Sequence, residues 1–142
     1  MHEGTMKEAS PSIDVWLREA KSAPNSSQSG MFLIHNGVVR QTPKSYAREG
    51  IDDGSLVTGM DFTYDAVKVD AAIVKTRGMK GINYVRVWLN NGHLKVGDDM
   101  MCVLIGGDIR TNVANAMEYL VGKIKNDCVD EIEIRQVIPN NL

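Results

Sequence analysis

The chain has 142 residues, a length that predicts one domain, and we expect a flexible N-terminus over residues 1–10 followed by that domain over residues 11–142. Its 16 Lys and Arg residues against 18 Asp and Glu residues give a net charge of −2, which excludes a general electrostatic binder of nucleic acids. No apolar run approaches the roughly 20 residues that span a bilayer, and two cysteines are too few for a disulfide framework, so we expect a cytoplasmic protein without a membrane segment.

The first third of the chain predicts a helix, a strand and a long connection. Ser10-Pro11 has the pattern of an N-cap followed by proline at the first helical position, and apolar residues at helical spacing follow it. A polar loop then leads into a buried strand that opens at Met31 and continues through Val38-Val39-Arg40. Residues 41–56 have no clear hydrophobic period, which predicts a long loop.

From residue 57 the pattern predicts the order strand, helix, strand, strand, helix, strand. The strands are expected over Val57–Tyr64, Ile82–Leu89, Asp99–Ile105 and Val129–Val137, with a short extended piece over Leu94–Asp98. One helix is expected from a cap at Asp65 to Gly78, and the other begins at Gly106-Gly107-Asp108. This β-α-β-β-α-β order is that of ferredoxin-like α+β folds, here preceded by a helix and a strand. The nearly continuous apolar run of Asp99–Ile105 predicts a central strand that is covered on both faces.

The histidines and cysteines do not favour a metal site or a thiol nucleophile. Neither residue type shows metal-ligand spacing, so no metal site is predicted. Cys102 lies within an apolar strand and is expected in the core. Cys128 follows Lys123 and Lys125, which would lower the pKa of an exposed thiol, but a nucleophilic role is not the favoured interpretation.

Two groups of cations are candidates for binding an anion. Arg40, Lys44 and Arg48 lie within nine residues of one another and could hold a phosphate or a carboxylate; the alternative is a solvated loop. Lys123 and Lys125 lie at the C-terminus of the last predicted helix, where the helix dipole favours cations with or without a ligand.

Arg110 is a third candidate, at the other end of that helix. The dipole disfavours a cation in the first turn, so a ligand anion could offset its charge; the alternative is a solvated arginine with Asp108 as N-cap. Arg110 and Lys125 are separated by about 22 Å along the helix. They therefore cannot hold one small ligand within a subunit, although they could do so across a two-fold interface.

Several motifs occur in a fixed order. They are Gly37-Val38-Val39-Arg40 for G-x-V-R, Met60–Asp65 for L-x-(Y/F)-x-A-Y, Asn91–Asp98 for (H/R)-x-G-x-L-x-x-G-(D/E), Ile109-Arg110 for H-R at a helix start, and Lys125 at the end of that helix. In this order and spacing, from about Ile13 to about Arg135, the chain resembles the large, catalytic subunit of molybdopterin synthase.

The resemblance implies a fold, a reaction and partners. The fold is an α+β domain of the α/β-hammerhead type that forms a homodimer, and no cofactor is implied. Each protomer binds a small ubiquitin-like sulfur carrier that ends in a Gly-Gly thiocarboxylate. As a sulfurtransferase, the family moves sulfur from this tail to cyclic pyranopterin monophosphate during molybdenum cofactor biosynthesis.

The resemblance also implies residue roles. By position, Arg40 holds the substrate or the carrier tail, and Arg110 of the other protomer contacts the phosphate. Lys125 acts on the thiocarboxylate as an electrostatic stabiliser or proton donor. Other candidate substrate-binding residues are Lys44, Arg48, Lys123 and Arg135.

Two departures from the family pattern bear on activity. Where the family has a histidine before the helix arginine, this chain has Ile109. Where the family has a P-x-W-K-x-E stretch, this chain has the acidic segment Cys128–Ile132, so it lacks the second lysine of the family's site. Lys123 is two positions from Lys125 and points to a different helix face. Arg135 retains a basic site role if a short segment before it is deleted. The alternative function is a non-catalytic, dimeric, sensor-type module that binds a small phosphorylated or anionic ligand.

Overall fold

The computed structural model describes residues 9–137 and arranges them as helices and strands in the order α1, β1, α2, β2, α3, β3, β4, β5, α4, β6. The helices are α1 (Ile13–Lys21), α2 (Lys44–Glu49), α3 (Ala66–Arg77) and α4 (Arg110–Lys123). The strands are β1 (Met31–Val38), β2 (Ser55–Tyr64), β3 (Ile82–Leu89), β4 (Gly92–Lys95), β5 (Asp99–Gly107) and β6 (Val129–Val137). A 3₁₀ turn spans Ser26–Gln28, and a π-helical turn, Ile124–Cys128, joins α4 to β6. Residues 1–8 of the predicted flexible N-terminus lie outside the described residues.

The strands form two antiparallel sheets of three strands each. The first sheet has the order β1-β5-β3 and the second has the order β4-β2-β6. A ferredoxin-like fold would place β2, β3, β5 and β6 in one sheet, so that part of the sequence prediction is wrong. The pairs β2–β6 and β3–β5 form, but β2 takes β4 as its other neighbour. The predicted extended piece around Leu94 is therefore a true strand.

Strand β5 lies at the centre of the first sheet, as its apolar run predicts. Its side chains alternate between two cores: Met101, Val103 and Ile105 pack towards α3 and α4, whereas Cys102 and Leu104 pack towards Trp16 and Ala20 of α1. The second sheet has its own core, built on Phe62, Met60, Leu94, Val39 and Val57. The three cores explain why the strands separate into two sheets, since each sheet buries its own apolar side chains.

Several element boundaries differ from the sequence predictions. Helix α1 is capped by Ser12, whose hydroxyl accepts from the Val15 amide at 3.3 Å, and not by Ser10. The predicted loop over residues 41–56 contains the short helix α2, which ends at Gly50 in the left-handed conformation with φ of 71°. Strand β1 ends at Val38, two residues before Arg40.

The start of α4 is also later than predicted. Gly106 and Gly107 belong to β5, where they pair with Phe32 and Met31 of β1. A Cβ on Gly107 would lie 2.6 Å from the carbonyl oxygen of Gly81, so the close approach of backbones requires glycine there. The helix then begins at Arg110. Among residues 9–137, no helix is long and apolar enough to cross a membrane.

Candidate functional site

Two glutamates on one face of β6 form the base of the candidate site. Glu131 and Glu133 are two residues apart, pair with Phe62 and Met60 of β2, and share the face of the sheet that carries the core. Their side chains are only 6% and 10% exposed. Buried carboxylates need cationic or hydrogen-bonding partners, and the surrounding chain supplies both.

Glu131 is bound by two lysines that are distant from each other in the sequence. The Lys125 ammonium, from the π-helical turn, lies 2.5 Å from its Oε2, and the Lys44 ammonium, from α2, lies 3.5 Å from its Oε1. Lys125 is itself mostly buried, with 22% of its side chain exposed. The two candidate cations therefore meet at one carboxylate, which cancels one of their two positive charges.

Glu133 holds the adjacent part of the site. Its Oε2 accepts from the Lys44 backbone amide at 2.9 Å, and its Oε1 accepts from Arg135 Nε at 3.0 Å. Arg135 also reaches towards Asp53 at 3.8 Å. Hydrogen bonds from Ser55, and then the Arg135 charge, lower the pKa of Asp53. Helix α2 is thus joined to β6 by polar contacts, and none of its residues is buried.

Between α2 and β6 lies an open cleft of about 570 Å³. Its lining includes Lys44, Arg48, Glu131, Glu133 and Arg135. Three predicted substrate-binding residues therefore share one cleft, and Lys125 contacts the buried wall of that cleft through Glu131.

The other predicted cations lie apart from this cleft. Lys123 pairs with Asp127 at 2.6 Å and lines a different groove, between α3 and α4, in agreement with its offset from Lys125. Arg40 is exposed beyond the end of β1. Arg110 is exposed at the N-terminus of α4, at the opposite end of the helix from Lys125. Within the described chain, neither Arg40, Arg48 nor Arg110 has an ion-pair partner.

Sequence reasoning missed two residues of this site. Glu131 was seen only as part of an acidic stretch, although its alternation with Val129 predicts that it faces inwards. His35 follows Leu33 on the same face of β1, the face that packs on α4. Burial first, and then the positive charge of Lys125, lower the pKa of His35, because both disfavour the charged imidazolium.

The two cysteines do not supply an activated thiol. Cys128 is buried between α3 and α4, and burial first, followed by the Asp127 charge, raises its pKa despite the neighbouring Lys123. The lysines therefore do not activate it, because the side chain is not exposed. Cys102 lies in the core as predicted, and burial raises its pKa. Residues 9–137 contain no group of three or more His, Cys, Asp and Glu side chains placed to hold a metal ion.

Fold and site together define an α+β domain of two antiparallel sheets with a cation-lined cleft on its last strand. The sequence profile of the MoaE protein family matches residues 9–127, and the chain belongs to this family. The predicted membership is thereby confirmed. The match ends before β6, so Glu131 and Glu133 lie outside the matched segment.

Solved structures confirm the predicted α+β fold class. Molybdopterin synthase from Staphylococcus aureus superposes with a TM-score of 0.62 at 16% identity, covering 77% of each chain. The complex of subunits 1 and 2 of the molybdopterin-converting factor from Helicobacter pylori gives 0.62 at 15% identity over 85% of this chain and 74% of that one. The MoaE protein from Burkholderia ambifaria gives 0.65 at 11% identity over 94% and 89%. No curated protein matches the sequence.

Proposed function

We propose that the chain is the large subunit of a molybdopterin synthase that acts in the cytoplasm. It would transfer sulfur from the thiocarboxylate of a small carrier protein to cyclic pyranopterin monophosphate. Membership of the MoaE family supports a role in molybdenum cofactor biosynthesis. The Helicobacter pylori neighbour is a complex of two subunits, which supports a small protein partner for this chain as well.

The observation that carries the proposal is the placement of Lys125. Its ammonium is mostly buried, fixed by an ion pair, and adjacent to a cleft that is open to a peptide tail. A fixed cation stabilises negative charge that develops on the oxygen or sulfur of a thiocarboxylate during transfer, and it can donate a proton to the leaving group. Lys44, Arg48 and Arg135 would hold the anionic groups of the substrate and the tail.

We propose that Arg110 binds the substrate's phosphate, in addition to the cations at the Lys125 end. Arg110 lies about 22 Å away along α4, yet it is exposed and has no ion-pair partner within residues 9–137. We place it, as the partner protomer's contribution, in a homodimer whose sites combine residues of both chains. Arg40, also exposed, would contact the substrate or tail from the end of β1, whereas Lys123, which lines a different groove, would take no part.

The proposal is tested by reconstituting the reaction with a thiocarboxylated carrier and the pyranopterin precursor. We expect molybdopterin to form, and Lys125→Ala to lower the rate about 100-fold or more, because it removes a charge that acts in the transition state. Lys21→Ala is the matched control, since it removes an exposed lysine on α1. No product with any carrier from the same genome would reject the activity, and full activity of Lys125→Ala would reject the role of Lys125.

A second candidate function is a non-catalytic relative that binds a phosphorylated or anionic ligand. The observation in its favour is that the family's second lysine is absent from Cys128–Ile132 and that Ile109 replaces the family's histidine. Calorimetric binding of the pyranopterin phosphate without turnover in the presence of the loaded carrier would support this function over the synthase.

A further inference from the structure

Glu131 is the most buried ionisable side chain of the site, and the sulfur-transfer chemistry gives it no role of its own. Its side chain is 6% exposed, and its Oε2 makes no hydrogen bond with good geometry within the described residues. That same oxygen lies 2.5 Å from the Lys125 ammonium. The positive charge of Lys125 thus compensates the negative charge of this oxygen, and the two groups fix each other's position.

The second carboxylate oxygen links this pair to α2. The Lys44 ammonium lies 3.5 Å from Oε1, and the Lys44 amide is bound by Glu133. Without Glu131, two ammonium groups would face each other across a small space and repel. A lysine side chain has four rotatable bonds, so an ammonium without this anchor would move away from the cleft.

We propose that Glu131 is the positioning residue of Lys125, and this rests on the proposed function of Lys125 in sulfur transfer. Glu131 holds the ammonium at the wall of the cleft and joins it to α2 through Lys44. Its proposed role is exerted through Lys125. The profile match ends before β6 and so does not include Glu131.

Chemical labelling tests the positioning without any need for turnover. The folded chain would be treated briefly with trace acetic anhydride, and the acetylation rates of individual lysines measured by peptide mass spectrometry with Lys21 as the internal standard. In Glu131→Gln we expect the Lys125 rate to rise several-fold, because the amine loses its anionic partner and reaches solvent. Glu133→Gln is the matched control: it changes the same residue type on the same strand face but touches only the Lys44 amide and Arg135.

Steady-state kinetics give a second, independent measure. In Glu131→Gln we expect kcat for molybdopterin formation to fall about tenfold or more, with KM for the carrier within about twofold, because a misplaced catalytic group affects the chemical step rather than the binding of the tail. Glu131→Asp, which retains the charge on a shorter side chain, should recover part of kcat. Should Glu131→Gln fail to fold, Glu131→Asp carries the labelling test, and a Lys125 rate above that of the wild type supports the proposal.

The outcomes separate this inference from the proposed function. A Lys125 labelling rate in Glu131→Gln equal to that of the wild type overturns the positioning role, as does a rise at Lys44 alone, which would mean that Glu131 only fastens α2. A wild-type protein that makes no molybdopterin overturns the synthase function, and the labelling result still decides whether Glu131 positions Lys125.

Discussion

The two ends of helix α4 carry the cations that matter most, and they are organised in opposite ways. At the C-terminal end, Lys123 and Lys125 are each paired with an acid of the same chain, Asp127 and Glu131. At the N-terminal end, Arg110 is exposed and has no ion-pair partner anywhere in residues 9–137. Both ends carry cations, but only those at the C-terminal end form ion pairs within the described chain.

The two ends also differ in how the helix dipole acts on their charges. The helix dipole favours the lysines and opposes Arg110, so Arg110 is retained against a local electrostatic cost. Its neighbour Ile109 is a large apolar residue that is 58% exposed. Under the proposed function, this unpaired cation would complete the site of the second protomer. The lysines at the Lys125 end, in contrast, are held by ion pairs within the chain.

The largest expected effect on stability is at Lys125. Lys125→Met retains most of the volume but leaves the buried Glu131 with Lys44 alone, and we expect the free energy of unfolding to fall by about 1–3 kcal/mol. Urea denaturation followed by circular dichroism measures it. An unchanged denaturation midpoint would mean that the pair with Glu131 is not an internal, stabilising contact.

Arg110→Ala should separate function from stability. We expect molybdopterin formation to fall about tenfold or more because a phosphate-binding cation is lost, while the denaturation midpoint does not change because no contact within the described chain is broken. Product formation and denaturation would be measured on the same preparation. A fall in stability that matches the fall in rate would place Arg110 among the structural residues instead.

Lys123→Met should have little effect on either property. Its ion pair with Asp127 is exposed and follows the i,i+4 pattern, and such pairs contribute little to stability. Lys123 also lines a groove between α3 and α4 that shares no lining residue with the cleft. A loss of activity comparable to that of Lys125→Ala would show that Lys123 replaces the family's missing second lysine.

The smallest expected effect is a pH dependence caused by His35. Its pKa in the folded chain is lowered, so the unfolded chain binds the proton more tightly. The free energy of unfolding should therefore be maintained above the ordinary histidine pKa of about 6.5 and decrease as the pH falls below it. His35→Phe should reduce this dependence in urea titrations between about pH 7.5 and about pH 5.5, the range that spans an ordinary histidine. Imidazole NMR of Lys125→Met should show the His35 pKa moving upwards, and no movement would contradict the proximity of the two groups.

The sequence predicted most of the fold because hydrophobic patterning determines local elements. Strands β3 and β6 have their predicted bounds, and the apolar run of β5 correctly predicted a central strand. Patterning does not determine which strands pair, and the separation into two sheets was therefore missed. Helix α2 was also missed, since it buries no side chain and therefore shows no hydrophobic period in the sequence. It is held instead by polar contacts to β6.

The candidate site was predictable only in part, for a related reason. The cations are visible in the sequence, but whether each is paired depends on contacts between distant residues. Lys44 and Glu131 are 87 positions apart, and only the packing of α2 on β6 brings them together. In the sequence, the acidic stretch at the start of β6 differs from the family pattern by the lysine that it lacks, whereas in the structure its Glu131 binds Lys125.

The most direct test of a site shared between protomers is complementation between two impaired variants. Arg110→Ala and Lys125→Ala would be co-expressed with different affinity tags, and the mixed dimer isolated by two successive purifications. If Arg110 of one protomer completes the Lys125 site of the other, the mixed dimer has one intact site, and we predict about half of the wild-type rate of molybdopterin formation. A mixed dimer as inactive as the two parent variants would contradict a site shared between protomers.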